Sequence, residues 1–147
     1  QKFTEDFPDS RYRKEATRLI FVMQDKLIEK EYAAAKLYFD LGTYFGTSSS
    51  SSSGNNYEAC VVTAQNAISD FPYSERREDF AILIVRAKFE LAEQSVESKK
   101  VERFQNAIDE YHGFVNEYPK SKFLPKATSL YNRAKAFLAK PQNAAQS

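Results

Sequence analysis

The chain has 147 residues, of which 42% are hydrophobic and 28% are charged, and its formal net charge is +1. This composition is typical of one globular domain, and the near-neutral charge argues against nucleic acid as a partner. No apolar run approaches the ~20 residues of a membrane span, and the single cysteine excludes an internal disulfide.

Apolar residues recur at steps of three and four along six segments, which is the periodicity of one face of an α-helix. In chain order the segments cover residues 16–27, 34–45, 57–71, 80–91, 101–118 and 123–138. No segment keeps the two-residue alternation of a strand, and only four glycines and five prolines interrupt the chain. The sequence therefore predicts an all-α fold of about six helices in three antiparallel pairs.

A short phrase recurs along the chain: an acidic residue, an aromatic residue, proline, any residue and serine. It occupies residues 6–10 (DFPDS), 70–74 (DFPYS) and 117–121 (EYPKS). Proline cannot continue the preceding helix and disfavours α geometry in the residue before it, while a serine two positions later is a favourable N-cap for the next helix. A fixed phrase between helix pairs is typical of a repeat array. We therefore expect each proline of the phrase at a corner between two helices.

The helices that precede two of these prolines share a register. Tyr57 and Phe104 each lie fifteen residues before a proline of the phrase, and Cys60 and Ala107 lie twelve residues before it. The TPR pattern has an aromatic and a small residue at these offsets, because the ring fills the space between paired helices and the small side chain lets their backbones approach. The last two prolines of the phrase, Pro72 and Pro119, are 47 residues apart, more than the roughly 34-residue TPR period. The sequence thus predicts a TPR-like α–α superhelix with elongated repeats and a buried Tyr57 and Phe104.

Residues 47–54 interrupt the helical pattern with a threonine, six serines and a glycine. Such a run forms a flexible coil and carries no chemistry. A natural loop insertion, an engineered linker and a substitute for a removed segment are all compatible with it. The helical pattern resumes after it as if uninterrupted, which favours an artificial origin. We assign residues 1–147 to one TPR-like domain with this flexible insert, and because the chain opens on Gln1 we expect a fragment of a longer protein.

Converging catalytic or metal-binding groups are not evident in the sequence. His112 is the only histidine, so no histidine pair can build a common zinc or iron site. Cys60 lies within a helical segment that supplies no base to activate its thiol. Adjacent carboxylates such as Asp109 and Glu110 point apart on a helix. The sequence therefore predicts a protein that is not an enzyme and that needs no cofactor or metal.

Two cationic residues, Arg76 and Arg77, stand at the predicted start of the fourth helix. Cations at a helix N-terminus oppose the macrodipole and gain nothing locally. We therefore choose this pair as candidates for partner contacts. A solvated face is the simpler alternative.

The order of motifs along the chain resembles the BamD family, the outer-membrane assembly lipoproteins of Gram-negative bacteria. FPDSRY at residues 7–12 leads into ATRLIF at 16–21 and KEYAAA at 30–35, and DFPYS at 70–74 is followed by RED at 77–79. The resemblance covers nearly the whole chain except the serine run and the last few residues. It implies that this chain is the carboxy-terminal half of a lipoprotein whose lipid-bearing cysteine and first two repeats precede Gln1.

The resemblance also implies a function and a location. A member would be a non-catalytic scaffold of the outer-membrane β-barrel assembly complex at the periplasmic face of the outer membrane, attached only through an N-terminal lipid anchor that this chain lacks. Its partners would be the POTRA region of the barrel-assembly protein and small accessory lipoproteins. Some members use a basic residue of the third helix for docking, and Thr63 stands at the corresponding place here.

Two other classes of function remain open at this point. A peptide-binding TPR adaptor of another pathway would recognise an extended tail, and its groove should show converging Lys, Arg and Asn side chains. A hydrolase or transferase on a helical scaffold is the third class, and the sequence offers no site for it.

Overall fold

The computed structural model describes residues 7–42 and 55–140, and all regular structure in these two ranges is helical. In chain order the helices are α1 (Phe7–Leu41), α2 (Asn55–Asp70), α3 (Arg77–Glu93), α4 (Glu97–Glu117) and α5 (Leu124–Ala139). The predicted all-α class is confirmed. The serine-rich run at residues 47–54 lies outside the described ranges. None of the described helices combines the length and the apolarity that crossing a bilayer requires.

The structure differs from the prediction of six helices at its amino-terminal end. The segments predicted at 16–27 and 34–45 belong to one helix of 35 residues, α1, as far as Leu41. Residues 28–33 between them contain neither glycine nor proline, so nothing in the backbone chemistry ends the first segment. Pro8 is the second residue of α1 rather than part of a corner. Proline is tolerated there because the N–H it lacks would have no intrahelical partner in the first turn.

The other two prolines of the phrase lie at corners, as expected. Pro72 lies between α2 and α3, and Pro119 lies between α4 and α5. The following helices begin at Arg77 and Leu124, each five residues after its proline. The two corners are therefore equivalent in sequence and in structure.

The serines of these corners act differently from the prediction. The N-cap positions are Arg76 and Phe123, and neither helix start has a side-chain cap hydrogen bond. The hydroxyl of Ser74 accepts the backbone N–H of Arg76 at 2.8 Å, and that of Ser121 accepts the backbone N–H of Phe123 at 2.9 Å. The serine thus stabilises the turn, since such a bond mimics a backbone turn, and each helix starts two residues later than a serine N-cap would place it.

Contacts between the helices arrange them around α3. The odd-numbered helices pack in a row, α1 against α3 and α3 against α5, while α2 packs on α1 and α3, and α4 packs on α3 and α5. α2 and α4 do not pack against each other. Helix α3 is consequently buried on two sides, one in a core shared with α1 and α2, the other in a core shared with α4 and α5.

The predicted burial of the two register aromatics is confirmed. Tyr57 is 9% exposed and Phe104 is 3% exposed, and the small residues that follow them, Cys60 and Ala107, are fully buried. The ring of Phe104 packs at 4.8 Å between centroids on a phenylalanine of α5, its expected partner helix. The ring of Tyr57 instead meets Phe39 of α1 edge-on at 5.8 Å.

Gly42, which follows α1, has a φ of +52°. A Cβ built at this position would lie 2.6 Å from the hydroxyl oxygen of Tyr57. Both the left-handed backbone and the close ring require glycine here.

The apolar face of the first predicted segment is not buried by any described helix. Its residues are exposed in the structure: Ala16, Leu19, Ile20, Met23 and Leu27. From Ser10 to Leu41 of α1 the buried side chains are Ile28 and Ala35, which join the core shared with α2 and α3. Those two helices therefore cover the carboxy-terminal half of α1, and its amino-terminal half extends past them.

Candidate partner-binding groove

An open groove runs along α3 between α2 and α4, because those two helices do not pack against each other. Five side chains of α3, spaced at steps of three and four, form its floor: Arg77, Ala81, Ile84, Lys88 and Leu91. The groove consists of a larger cleft of about 520 Å³ and a smaller one of about 150 Å³. Glu110 and Gly113 of α4 line both clefts, so the two adjoin.

Polar side chains from three helices converge in the larger cleft. Lys88 donates from Nζ to Oε1 of Glu110 at 2.8 Å, which ties α3 to α4. Arg103 donates from Nη1 to the hydroxyl of Ser95 at 2.6 Å. Asn106 is exposed beside them, and its amide can both donate and accept hydrogen bonds. The cleft therefore offers fixed cations and a versatile amide above an apolar floor.

Carboxylates offset these cations. Glu58 of α2 and Asp109 of α4 also line the larger cleft, and at the other end of the groove Nη2 of Arg77 pairs with Oε2 of Glu117 at 2.6 Å. The groove is thus close to charge balance, so it exerts little long-range pull on a charged partner.

Tyr118 lines the smaller cleft. Its hydroxyl is buried and has no hydrogen-bond partner in the described part of the chain. Burial raises the pKa of Tyr118 above its usual value. Phe71 occupies the same place in the other corner phrase, which indicates that the corner itself does not use the hydroxyl.

Gly113 is a glycine in the interior of a helix, near the carboxy-terminal end of α4. It is exposed, and a Cβ built on it would meet no atom within 4 Å in the described part of the chain. Glycine at such a position costs about 0.5–1 kcal/mol of stability relative to alanine. Within the described ranges no neighbouring atom excludes a larger residue at this position. The absence of a side chain leaves space where the two clefts meet.

The structure separates the predicted partner-contact residues. Arg76 binds Glu29 of α1 through two hydrogen bonds of 2.7 and 2.8 Å, pairs with Asp79 at 3.1 Å and stacks over the ring of Tyr32 at 4.3 Å. The hydrogen bond from Arg76 lowers the pKa of Glu29. Arg76 therefore fastens α1 to the start of α3.

The two arginines do not act as one pair. Both residues are partly buried, and they contact different helices, Arg76 on α1 and Arg77 on α4. Arg77 lies at one end of the groove and Arg76 does not line it, so partner contacts in the groove would involve Arg77, while partner contacts of Arg76 stay a prediction for another surface.

Thr63 lies on a different side of α2. It is partly buried and stands five residues from Glu58 and from Ile68, the two residues of α2 that line the groove. Five residues correspond to roughly 140° around a helix. The structure therefore does not bring Thr63 into the groove with Arg77.

The sequence did not single out Lys88, Arg103, Asn106 or Gly113. Arg103, Asn106 and Gly113 are three and seven residues apart, which places them on one flank of α4, and Lys88 faces them from α3. That pattern becomes informative only when the separation of α2 from α4 is known.

A scan against protein-family models found no match, and a search of curated proteins found none either. In residues 7–42 and 55–140, no three His, Cys, Asp or Glu side chains are grouped as a metal site would require.

Proposed function

We propose that this chain is a non-catalytic, TPR-like scaffold that binds protein partners during the assembly of outer-membrane β-barrel proteins. The observation that carries the proposal is a repeated register. Three features of the two helix pairs each recur after 47 residues. They are the first residue of the helix after the corner (Arg77 and Leu124), the buried aromatic residue and the fully buried small residue. Repeated helix pairs of this kind bind partners through a surface of exposed side chains, and the order of motifs adds the BamD-like assignment.

The proposed mechanism is presentation of a rigid groove. α3 is buried on two sides, so its groove-facing side chains are held in place by the cores beneath them. Each fully buried aliphatic or aromatic side chain contributes about 1.5–3 kcal/mol relative to exposure. A rigid surface loses little conformational entropy when a partner binds, which favours affinity.

The partners that we propose are the POTRA region of the barrel-assembly protein and small accessory lipoproteins. Because the groove is close to charge balance, shape and hydrogen bonds would govern recognition, with little electrostatic steering. We therefore expect the affinity to change less with salt than it would if an exposed arginine pair drove the encounter.

A second candidate, a peptide-binding TPR adaptor of another pathway, is favoured by one specific observation. Lys88, Arg103 and Asn106 converge in the larger cleft, which is the arrangement expected of a groove that binds an extended tail. An asparagine amide can pair with both the N–H and the C=O of a peptide backbone.

Isothermal titration of the POTRA region into the full chain tests the proposal. Asn106→Arg places a long cation into the larger cleft without touching the core, because Asn106 is exposed. We expect it to weaken binding about tenfold or more, which is about 1.4 kcal/mol. Gln105→Arg is the matched control, since Gln105 is exposed on the same helix and does not line the groove.

Each outcome decides between the candidates. Loss of POTRA binding in Asn106→Arg and not in Gln105→Arg supports the scaffold in barrel assembly. If the POTRA region does not bind, but peptides selected by phage display bind and Asn106→Arg abolishes that binding, the adaptor is the better account. POTRA binding that Asn106→Arg leaves unchanged removes the groove from the interface.

A further inference from the structure

The two clefts of the groove differ in their chemistry. Apolar side chains from three helices line the smaller cleft: Ile68, Ala81, Ile84 and Phe114. The charged residues of that cleft are already engaged in ion pairs with one another or with Lys88. Its volume is about 150 Å³, and an apolar cavity of about that size can hold one benzene ring. The smaller cleft therefore fits one large apolar side chain.

Charged and amide side chains dominate the larger cleft, and the cations of the groove differ in their partners. Lys88 and Arg77 each form an ion pair with a carboxylate of α4, at 2.8 and 2.6 Å. Arg103 instead donates to the hydroxyl of Ser95, and no carboxylate in residues 7–42 and 55–140 pairs with it. Arg103 is therefore the cation of the larger cleft that has no counter-ion in the described part of the chain.

Ser95 fixes the position of the Arg103 guanidinium. Its hydroxyl accepts from Nη1 of Arg103 at 2.6 Å and donates to the carbonyl oxygen of Leu91 at 2.5 Å. A guanidinium has further N–H donors, arranged as a fork that fits a carboxylate through two parallel hydrogen bonds. The amide of Asn106, one turn further along α4 in the same cleft, is a second donor. The larger cleft is therefore prepared for a carboxylate.

Glu58 and Asp109 also line the larger cleft, and they would favour a cation of the partner instead. Both are exposed, and ion pairs between exposed groups are weak and screened by salt. Arg103 is partly buried and already oriented, so its charge-assisted hydrogen bonds are the stronger ones. Asp109 is six residues further along α4, about 9 Å along the helix axis. We therefore expect Arg103 to outweigh the two carboxylates.

The distance between the clefts sets the spacing of the two side chains that fill them. Of the two clefts, Asn106 lines the larger and Phe114 the smaller. These residues are eight positions apart on α4, which is about 12 Å along the helix axis. An extended chain advances about 3.3 Å per residue, and every second side chain points to the same face. Two side chains four positions apart on an extended segment, about 13 Å, therefore reach both clefts.

Gly113 lies between these two residues and favours an extended segment over a helix. It lines both clefts and has no side chain, so the backbone of a partner can approach α4 closely there. The backbone of an extended segment has free N–H and C=O groups, which need hydrogen-bond partners when they are buried. The amide of Asn106 can bind either group.

We propose that the groove binds an extended segment of its partner that carries an acidic residue and, four positions away, a large apolar residue. The carboxylate binds Arg103, with Asn106 as a second donor, and the apolar side chain fills the smaller cleft. This inference rests on the proposed function, in which the groove binds a protein, and it adds the chemistry of the segment that is bound.

Selection of peptides by phage display on the full chain tests this proposal. A library of short random peptides would be selected in parallel on the wild-type chain and on Arg103→Glu. Peptides from the wild-type chain should share an acidic and a large apolar residue four positions apart. On Arg103→Glu a basic residue should replace the acidic one, while the apolar residue stays. Circular dichroism checks the fold of the variant, and Arg103→Gln takes its place if it is unfolded, in which case the acidic residue should simply be lost from the pattern.

The affinity of one selected peptide, measured by fluorescence anisotropy, locates the contact. Arg103→Gln should weaken its binding about tenfold or more, because a charge-assisted hydrogen bond is lost. Replacing the acidic residue of the peptide by its amide should cost the wild-type chain about as much and the Arg103→Gln chain almost nothing further, since the two changes remove the same contact. Asp109→Asn is the matched control in the same cleft. It should leave the affinity unchanged or raise it, because it removes a carboxylate near that of the peptide.

Three results would overturn the proposal. The first is that no common pattern emerges on the wild-type chain, and the second is that folded Arg103→Glu selects the same acidic residue. The third is a loss of peptide binding in Asp109→Asn, which would show that the cleft takes a cation. The proposed function is tested separately by the POTRA titration. If the POTRA region does not bind while peptides with this pattern do, the role in barrel assembly fails and this inference stands.

Discussion

Replacing Gly113 by alanine should make the chain more stable and its groove less able to bind. The residue lies in the interior of α4 and is exposed, and a Cβ there would meet no atom within 4 Å in the described part of the chain. Alanine is favoured over glycine by about 1 kcal/mol in a helix interior. Because Gly113 is near the last turn of α4, where helices fray, we expect about 0.5–1 kcal/mol.

Urea denaturation followed by helical circular dichroism measures this gain. In a thermal melt of a chain of this size, the same gain of 1 kcal/mol corresponds to a rise of about 2–4 °C in Tm. Gln105→Ala is the matched control, since it is exposed on the same helix and glutamine and alanine differ little in helix propensity. It should leave the free energy of unfolding almost unchanged.

The binding half of this prediction uses the same variant. The added methyl group would stand where the two clefts meet, so affinity for the POTRA region should fall while stability rises. A loss of stability in Gly113→Ala would refute the claim that the space above Gly113 is open. Unchanged affinity would remove the groove as the reason for the glycine.

Three further predictions follow from buried groups. Phe104→Ala should lower the free energy of unfolding by about 3–5 kcal/mol in urea titrations, since the ring is 3% exposed; a loss below about 1 kcal/mol would contradict the packing. Tyr118→Phe should leave that free energy unchanged or raise it by up to about 1 kcal/mol, because the buried hydroxyl has no partner in the described part of the chain; a clear loss would reveal a bond. Burial raises the pKa of Cys60 from 9.0 to about 12, so the folded chain keeps a proton that the unfolded chain loses, and stability should fall as pH rises from about 9 toward 12. Urea titrations across this range should show a shallower fall for Cys60→Ala, and an identical slope would show that the thiol is not the titrating group.

The helices were predictable because their periodicity is local. The phrase with Pro72 and Pro119 placed two corners correctly, since proline acts on the residues beside it. The fusion of the first two segments into α1 was missed for a physical reason. α1 carries two apolar faces, one with Leu19 and Leu27 and the other with Ile28 and Ala35, and only the second is buried. Periodicity alone cannot tell a face that is covered from one that is exposed.

The groove could not be predicted because it depends on long-range packing. Arg76 looked free at a helix start, yet its carboxylate partner, Glu29, lies 47 positions earlier in the chain. Arg77 likewise pairs with Glu117 of another helix. Asn106 could not be identified as a groove residue from the sequence. Its place in the groove depends on the separation of α2 and α4, which no local pattern encodes.

Photocrosslinking from the groove tests the central claim, that this chain is a scaffold which binds a protein partner between α2 and α4. A photoreactive amino acid would replace Asn106 in the groove and, in a control, Ser129, which is exposed on α5 and does not line the groove. Our account predicts that the POTRA region is captured from position 106 and not from position 129. Capture from position 129 alone, or from neither position at saturating partner, would contradict it.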